Sequence, residues 1–557
     1  MISIQDDVAG GGSHFGRPAL AQAVQQRGAV AAWHDALSHD PASAAADVED
    51  GFAVGVRDAD GRVFLAADRF GMRTMCYRVV DGELRFSTRA DALADAGAPL
   101  ELQALYDYLY FHAIPSPRTV FAGVHRLPPG HYAVFEQGRL TVAPYWVPEF
   151  RADPGRSFAD WRDEFRLLLR AAVQRQLGDG KAACFLSGGT DSSTVAGMIR
   201  EVTGQAPSTY SIGFEAEGYD EMHYARIASR RFETEHHEYY VTPEDLVQGI
   251  PAAAASFDQP FGNSSVLPTF CCARVARDDG VSKLLAGDGG DELFGGNSRY
   301  AKQRVFGFYD RLPKLLRGGL LEPLLLGTPL GRLPLARKGA SYIEQARVPM
   351  PDRLQTYNLL QRLGQAEVLT PAFLAQVDLA APQEQQRGVW QQSRADNDLD
   401  RNLAFDWRYT LAENDLPKVR MATELAGVAA GFPLLDRSLL DFSMRLPTNY
   451  KLRGLTLRWF FKQALRGFLP DEIIAKRKHG FGLPFGIWAT RHAGLAALAT
   501  ESLRSLGTRG LVRPDFIDTL LRHRLPTQPG YYGEMVWILM MLEQWLRHHA
   551  PDFALRD

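Results

Sequence analysis

The stretch ACFLSGGTDSSTVAGM, Ala183 to Met198, constrains this chain more than any other. ACFL reads as a short buried strand, SGGTDSS as a loop, and STVAGMIREV as the opening of a helix. A glycine-rich turn between strand and helix aims backbone N–H groups and a helix N-terminus at one point, which favours phosphate. Gly188 and Gly189 permit close approach or a positive φ, and Ser187, Ser192 and Ser193 offer hydroxyl donors. Asp191 is out of place in an anion site unless it holds a cation that bridges phosphate oxygens. Mg²⁺ binds in that manner, through one or two carboxylates plus substrate phosphates. The loop lacks the lysine of a GxxxxGK[ST] sequence, so it is not a Walker P-loop. A hydroxyl-rich cradle without that lysine suits pyrophosphate as a leaving group, with attack at the α-phosphate of ATP giving AMP and PPi.

A second acidic loop supports this reading. LLAGDGGDELFGG also follows a strand and places Asp288, Asp291 and Glu292 at a carboxyl end, where open α/β sheets bind ligands. The two loops can meet over one nucleotide, with Asp191 and Asp291 sharing Mg²⁺. ACFL, STYSIGF and KLLAG alternate with helical stretches, which predicts a parallel sheet with helices on both faces. In SFADWRDEFRLLLRAAV the apolar positions Phe158, Trp161, Phe165, Leu168 and Ala172 recur at helical spacing, and Ser157 with Asp160 resembles a capping arrangement.

The chain before about residue 150 has a different period. Apolar runs flank DADG, Asp81-Gly82 and Gln137-Gly138, three hairpin signals that predict an antiparallel, sheet-rich domain. RADPGRS reads as a linker, and beyond about residue 300 the chain reads as mostly helical with proline breaks. The expected organisation is therefore α/β and α+β. An antiparallel sheet domain over 1–150 precedes a doubly wound parallel-sheet domain with a large helical C-terminal part over 151–550.

Composition narrows the classes. Of 557 residues 46% are hydrophobic and 23% charged, enough for a large core. A net charge of -3 and a pI near 6.6 give no basic excess for nucleic acid. Cys76, Cys184, Cys271 and Cys272 are too sparse for a disulfide framework and lack zinc spacing. The N-terminus MISIQDDVAGGGSHFGRP has no apolar signal region. MVWILMML, Met535 to Leu542, is too short to span a bilayer and reads as a buried helix carrying Trp537 as core. The expectation is a cytoplasmic protein that binds neither membrane nor nucleic acid, with a homodimer allowed.

Together these residues resemble the asparagine synthetase family of ATP-dependent amide ligases. FLSGGTDSS is similar to its pyrophosphate loop, SIGFEAEGYDEMHYAR to its adenine-side strand and following helix, and DQPFGNSSVLPT and GDGGDELFGG to its next two landmarks. FPLLDRSLLDFSMRLPTNYKLRG and KRKHGFGLPFGIW are similar to its C-terminal landmarks. The resemblance covers roughly residues 50 to 550. It implies an N-terminal glutaminase domain of Ntn-hydrolase type and a synthetase of PP-loop ATP pyrophosphatase type. It further implies adenylation of a carboxylate, usually aspartate, followed by displacement of AMP by an amine. Leu186, Ile212 and Gly287 would line the nucleotide. Lys478 matches the family lysine that stabilises charge in both steps, consistent with a cation beside a developing oxyanion.

Three departures from the family pattern redirect the expectation. The family glutaminase begins Met-Cys; here position 2 is Ile2, no cysteine precedes Cys76, and the glutamine-binding RGPD and NGE stretches are missing. Without a thiol there is no thioester, so the glutaminase half is expected to be degenerate. The family SLEVRVPLLD reads GVAAGFPLLD, which puts Ala429 at the Glu position beside the family's reacting centre and Gly431 at the Arg position. The family KVDRM reads KVRM at Lys418 to Met421, without its acid. The leading expectation is an AMP-forming ligase that uses ammonia or a substrate amine, with ATP and Mg²⁺ and a small carboxylate partner. Two alternatives stand beside it. One is a macrolactam-forming relative of the β-lactam synthetase or lasso-peptide type, the latter acting on a precursor peptide. The other is a decayed, non-catalytic nucleotide binder.

Overall fold

A computed structural model describes residues 14–555 apart from 39, 59, 179, 217, 311, 319–321, 327–333 and 477–481. The first part carries helices α1 (Pro18–Arg27), α2 (Ala29–Leu37) and α3 (Pro41–Ala46). Strands β1 (Ala53–Arg57), β2 (Val63–Ala67), β3 (Cys76–Val80) and β4 (Glu83–Ser87) follow, then helix α4 (Leu102–Phe111) and strands β5 (His125–Arg126), β6 (His131–Glu136) and β7 (Arg139–Pro144). β1-β2-β6-β7 form one antiparallel sheet and β4-β3-β5 another. The hairpins turn where the sequence places them. Asp81 and Gly82, like Gln137 and Gly138, all have positive φ, the requirement of the tight turn that matches strand twist.

Period two sorts the side chains of the central strands. Val54, Val56, Phe64 and Ala66 face one core with Trp33 of α2. Ala53, Val63, Leu65 and Ala67 face the other, against Tyr77, Leu84 and Phe86 of the second sheet. The layers are thus helix, sheet, sheet. Hairpin signals alone leave out α1–α4; the alanine-rich first three are short, and their helical form depends on docking against β1 and β2.

The second part is doubly wound, as the sequence reading expects. Its elements are α5 (Phe158–Gln176), β8 (Ala183–Phe185), α6 (Thr190–Thr203), β9 (Ser208–Phe214), α7 (Met222–Phe232), β10 (Glu235–Val241), α8 (Pro243–Ser256), α9 (Val266–Asp278), β11 (Lys283–Leu285), α10 (Gly290–Phe294) and, after a long helical excursion, β12 (Ala429–Gly431). All neighbours pair in parallel in the order β10-β9-β8-β11-β12. The chain winds outward from β8 to β10 and returns to β11 on the other side of β8. Strand order therefore reverses between β8 and β11, the place where such sheets bind ligands. α5 begins with a capping box of Ser157 and Asp160 and buries Trp161, Phe165 and Leu169. Met535 to Leu542 lie within the buried helix Pro529–His549, where Trp537 and Trp545 are each 1% exposed. No described helix is long and apolar enough to cross a membrane.

Candidate active site

The loops after β8 and β11 meet over a cavity of about 330 Å³, a size suited to a small ligand. Glycines set their approach. Gly188 has φ +67, and a Cβ there would run into the Tyr224–Ala225 backbone of α7, so the first loop can lie against that helix only with glycine. A Cβ on Gly287 would lie 2.7 Å from the Ser192 amide nitrogen, which brings the second loop onto the first. Within the first loop the Ser187 amide donates to Ser192 Oγ at 3.1 Å, and the two hydroxyls lie 3.0 Å apart.

Leu186, Ser187, Asp191, Ser192, Ile212, Gly287 and Asp291 all line this one cavity. Three expected phosphate-binding residues do not. Ser193 is fully buried, one residue too far along α6 to face the opening. Gly188 is taken up by packing on α7, and Gly189 serves as the N-cap of α6. These glycines shape the cradle rather than line it. Lys478 lies outside the described residues.

Cations also converge around the cavity. Arg458, with a side chain only 8% exposed, pairs with Asp191 of the first loop and, at 2.8 Å, with Asp291 of the second. It also donates to Thr190 Oγ1 at 2.8 Å and lies 4.6 Å from the Phe461 ring centre. Burial holds its pKa down to about 9. Lys418 reaches the cavity from the helix Leu416–Ala426, with Nζ 3.4 Å from Asp288 and 3.5 Å from Asp415. Burial raises the Asp288 pKa against the pull of Lys418. For Lys418, burial opposes the charge, but the two carboxylates prevail and its pKa is raised. Lys476 Nζ lies 3.0 Å from Glu221, 3.5 Å from the Gly188 carbonyl oxygen and 4.5 Å from the Tyr224 ring centre. Lys418 stands in the KVRM segment and Lys476 opens KRKHGFGLPFGIW, whereas no motif marks Arg458.

A second cavity of about 360 Å³ lies between the N-terminal sheet domain and the edge strand β12, bordered by Met72, Arg73, Lys283, Arg420, Ala429 and Gly431. Ala429 pairs in register with Lys283 at the amino end of β12. It therefore borders this second cavity and not the one between the two acidic loops. Gly431 leaves room for Lys283, whose Cε would lie 2.9 Å from a Cβ at that position.

Comparison with known proteins agrees with this architecture. The asparagine synthase family matches residues 164–547 and the glutamine amidotransferase domain family residues 40–146. The glutamine-hydrolysing asparagine synthetase 1 of Bacillus subtilis is 24% identical over 497 residues, covering 87% of this chain and 75% of that protein. A Mycobacterium bovis relative with the same family name is 26% identical over 76% of this chain, which spans 65% of its length. Amidase chyE of Penicillium rubens is 30% identical over 44% of this chain and 39% of its own. The family match covers more than half of the sequence and contains both acidic loops, so this chain belongs to the asparagine synthase family.

Proposed function

We propose that this chain is an ATP-dependent, AMP-forming amide ligase that adenylates a carboxylate, releases PPi and lets an amine displace AMP. The observation that carries the reading is the convergence of Asp191 and Asp291, from loops on either side of the strand-order reversal, over one cavity. Leu186, Ile212 and Gly287 wall the nucleotide, while Ser187, Ser192 and the N-terminus of α6 receive the leaving pyrophosphate. Asp191 and Asp291 reach a single guanidinium, so they stand close enough to share one divalent ion. Two carboxylates completed by phosphate oxygens suit Mg²⁺. Bound there, the ion would neutralise charge on the departing PPi. Lys476 places a second cation beside the same loop, and the resemblance assigns Lys478 to the adenylated centre.

The amine in this proposal is ammonia or a substrate amine and not the amide of glutamine. All four cysteines are free and buried. Burial pushes every one of their thiols up, that of Cys271 to about 12, which disfavours the thiolate nucleophile. A macrolactam-forming reaction uses the same adenylation chemistry. One observation favours it as a second reading: small residues, Ala429 and Gly431, stand on the wall of the second cavity where the family pattern has Glu and Arg.

ATP–PPi exchange, measured with one carboxylic acid at a time, tests the adenylation step. Exchange that depends on the acid supports the proposal. A small amino acid such as aspartate as the effective acid favours the first reading, and a peptide acid favours the second. ATP bound without exchange for every acid tried would instead support a decayed nucleotide binder.

A further inference from the structure

The Arg458 guanidinium occupies the space between the two carboxylates assigned to the metal. It is not a loose surface arginine that drifted there. Its side chain is 8% exposed, held by Asp191, Asp291 and Thr190 and stacked on Phe461. Its backbone takes a left-handed conformation, φ 56 and ψ 35, at the start of the helix Trp459–Ala464. Its amide donates to the Gly295 carbonyl at 3.1 Å. A non-glycine residue keeps such a conformation only where its surroundings over-determine it. The surroundings here are tight: a Cβ on Gly290 would lie 2.9 Å from Arg458 Nη2, and one on Gly296 would run into Arg458 Cδ and the Asp291 carboxylate.

We propose that Arg458 is a built-in counter-ion, a positioning residue that holds Asp191 and Asp291 together and bars free divalent cations from them, so that metal enters only with nucleotide phosphates. The inference rests on the nucleotide reading of the site. Charge explains the selectivity. One guanidinium between two carboxylates leaves a net charge of about minus one in a largely dry setting, where charge interactions are strong. A divalent cation added alone would turn that balance positive, next to a buried cation that cannot move into water without cost. ATP brings several negative charges, so metal and Arg458 can then coexist against the same acids. The arginine thus keeps the two loops in register before substrate arrives.

Binding of Mn²⁺, read by electron paramagnetic resonance without turnover, tests this on the full-length protein. Wild type is expected to bind Mn²⁺ at least tenfold more tightly with ATP than without it. Arg458→Met is expected to bind Mn²⁺ without ATP at least tenfold more tightly than wild type, and Arg458→Lys, which keeps the charge, to behave like wild type. Equal Mn²⁺ affinity of wild type with and without ATP, in a protein that binds ATP, would overturn the proposal even if Arg458→Met fails to fold. So would equal affinity of wild type and Arg458→Met without nucleotide. A gain of Mn²⁺ binding in Arg458→Met, with no ATP binding by either protein, would support exclusion by Arg458 and overturn the nucleotide reading alone.

Discussion

The Ser116 hydroxyl donates to the Glu413 carboxylate at 2.9 Å, and this buried contact joins the N-terminal sheet domain to the ligase domain. The Ser116 amide donates to the same oxygen at 3.1 Å, and Arg126 and Arg408 complete the cluster. The arginines and the hydroxyl bring the Glu413 pKa below its ordinary value although burial opposes them. Glu413 lies on the π-helical segment Trp407–Asp415, which delivers Asp415 to Lys418 in the cavity. The N-terminal sheet domain thereby anchors the segment that forms one wall of the site.

Glu413→Ala should therefore destabilise the protein by about 3–5 kcal/mol, the cost of leaving buried arginines uncompensated. Glu413→Gln, which keeps an acceptor for Ser116, should cost less. Denaturant unfolding measures both. A loss below about 1 kcal/mol for Glu413→Ala would show that the cluster does not join the domains.

Asp191→Asn and Asp291→Asn should each slow acid-dependent ATP–PPi exchange at least a hundredfold, about 2.7 kcal/mol of lost transition-state stabilisation. Circular dichroism should show both variants folded, since Arg458 keeps its other partners. Exchange within about fivefold of wild type, roughly 1 kcal/mol, would remove these acids from the reaction.

Two adjacent glycines should behave differently. Gly188→Ala places a methyl group into the α7 backbone at a positive φ and should cost about 2–4 kcal/mol while abolishing ATP binding. Gly189 has φ -78 and only Ser187 Oγ near its Cβ position, at 3.3 Å, so Gly189→Ala should fold nearly as wild type. Unfolding together with nucleotide titration separates the two.

His112 sets a pH dependence. It caps α4 in a left-handed conformation, and burial depresses its pKa from 6.5 to about 4. Its Nδ1 lies 3.6 Å from Glu534, a carboxyl whose own pKa burial raises. At His112 the unfolded chain binds more protons than the folded one between pH 6.5 and 4, while the raised Glu534 pKa acts in the opposite sense. The His112 contribution is complete above the unfolded value and is lost as pH falls through that window, by ~3 kcal/mol at most. His112→Asn, which tolerates the left-handed turn, should flatten the stability profile between pH 6.5 and 4 relative to wild type. An unchanged slope would contradict the assignment.

Much of the fold is legible in the sequence because short-range rules decide it. Asp81-Gly82 and Gln137-Gly138 meet a turn requirement that few other pairs satisfy, and the loop at Gly188 is read from a strand, a glycine pair and a helix within sixteen residues. The cavity residues read from the sequence, Asp288 and Glu292 among them, sit on such loops or beside them. Arg458 was not foreseen because its partners lie 267 and 167 residues away along the chain, and nothing in LTLRWFF marks one arginine as an interior cation. Ser193 is buried away from the cavity because a run of hydroxyls on a helix start cannot all face one side when residues turn by about 100° each. The position of Ala429 at the amino end of its strand needed the register of β12 against β11, which a single sequence does not carry.

Product analysis after incubation with ATP, Mg²⁺, a carboxylic acid that supports exchange, and either ammonium or glutamine tests the central claim most directly. The account predicts AMP and PPi in equal amounts, with an amide formed from ammonium and none from glutamine. ADP and phosphate as products would contradict adenylation, and amide formed equally well from glutamine would contradict the absence of glutaminase chemistry.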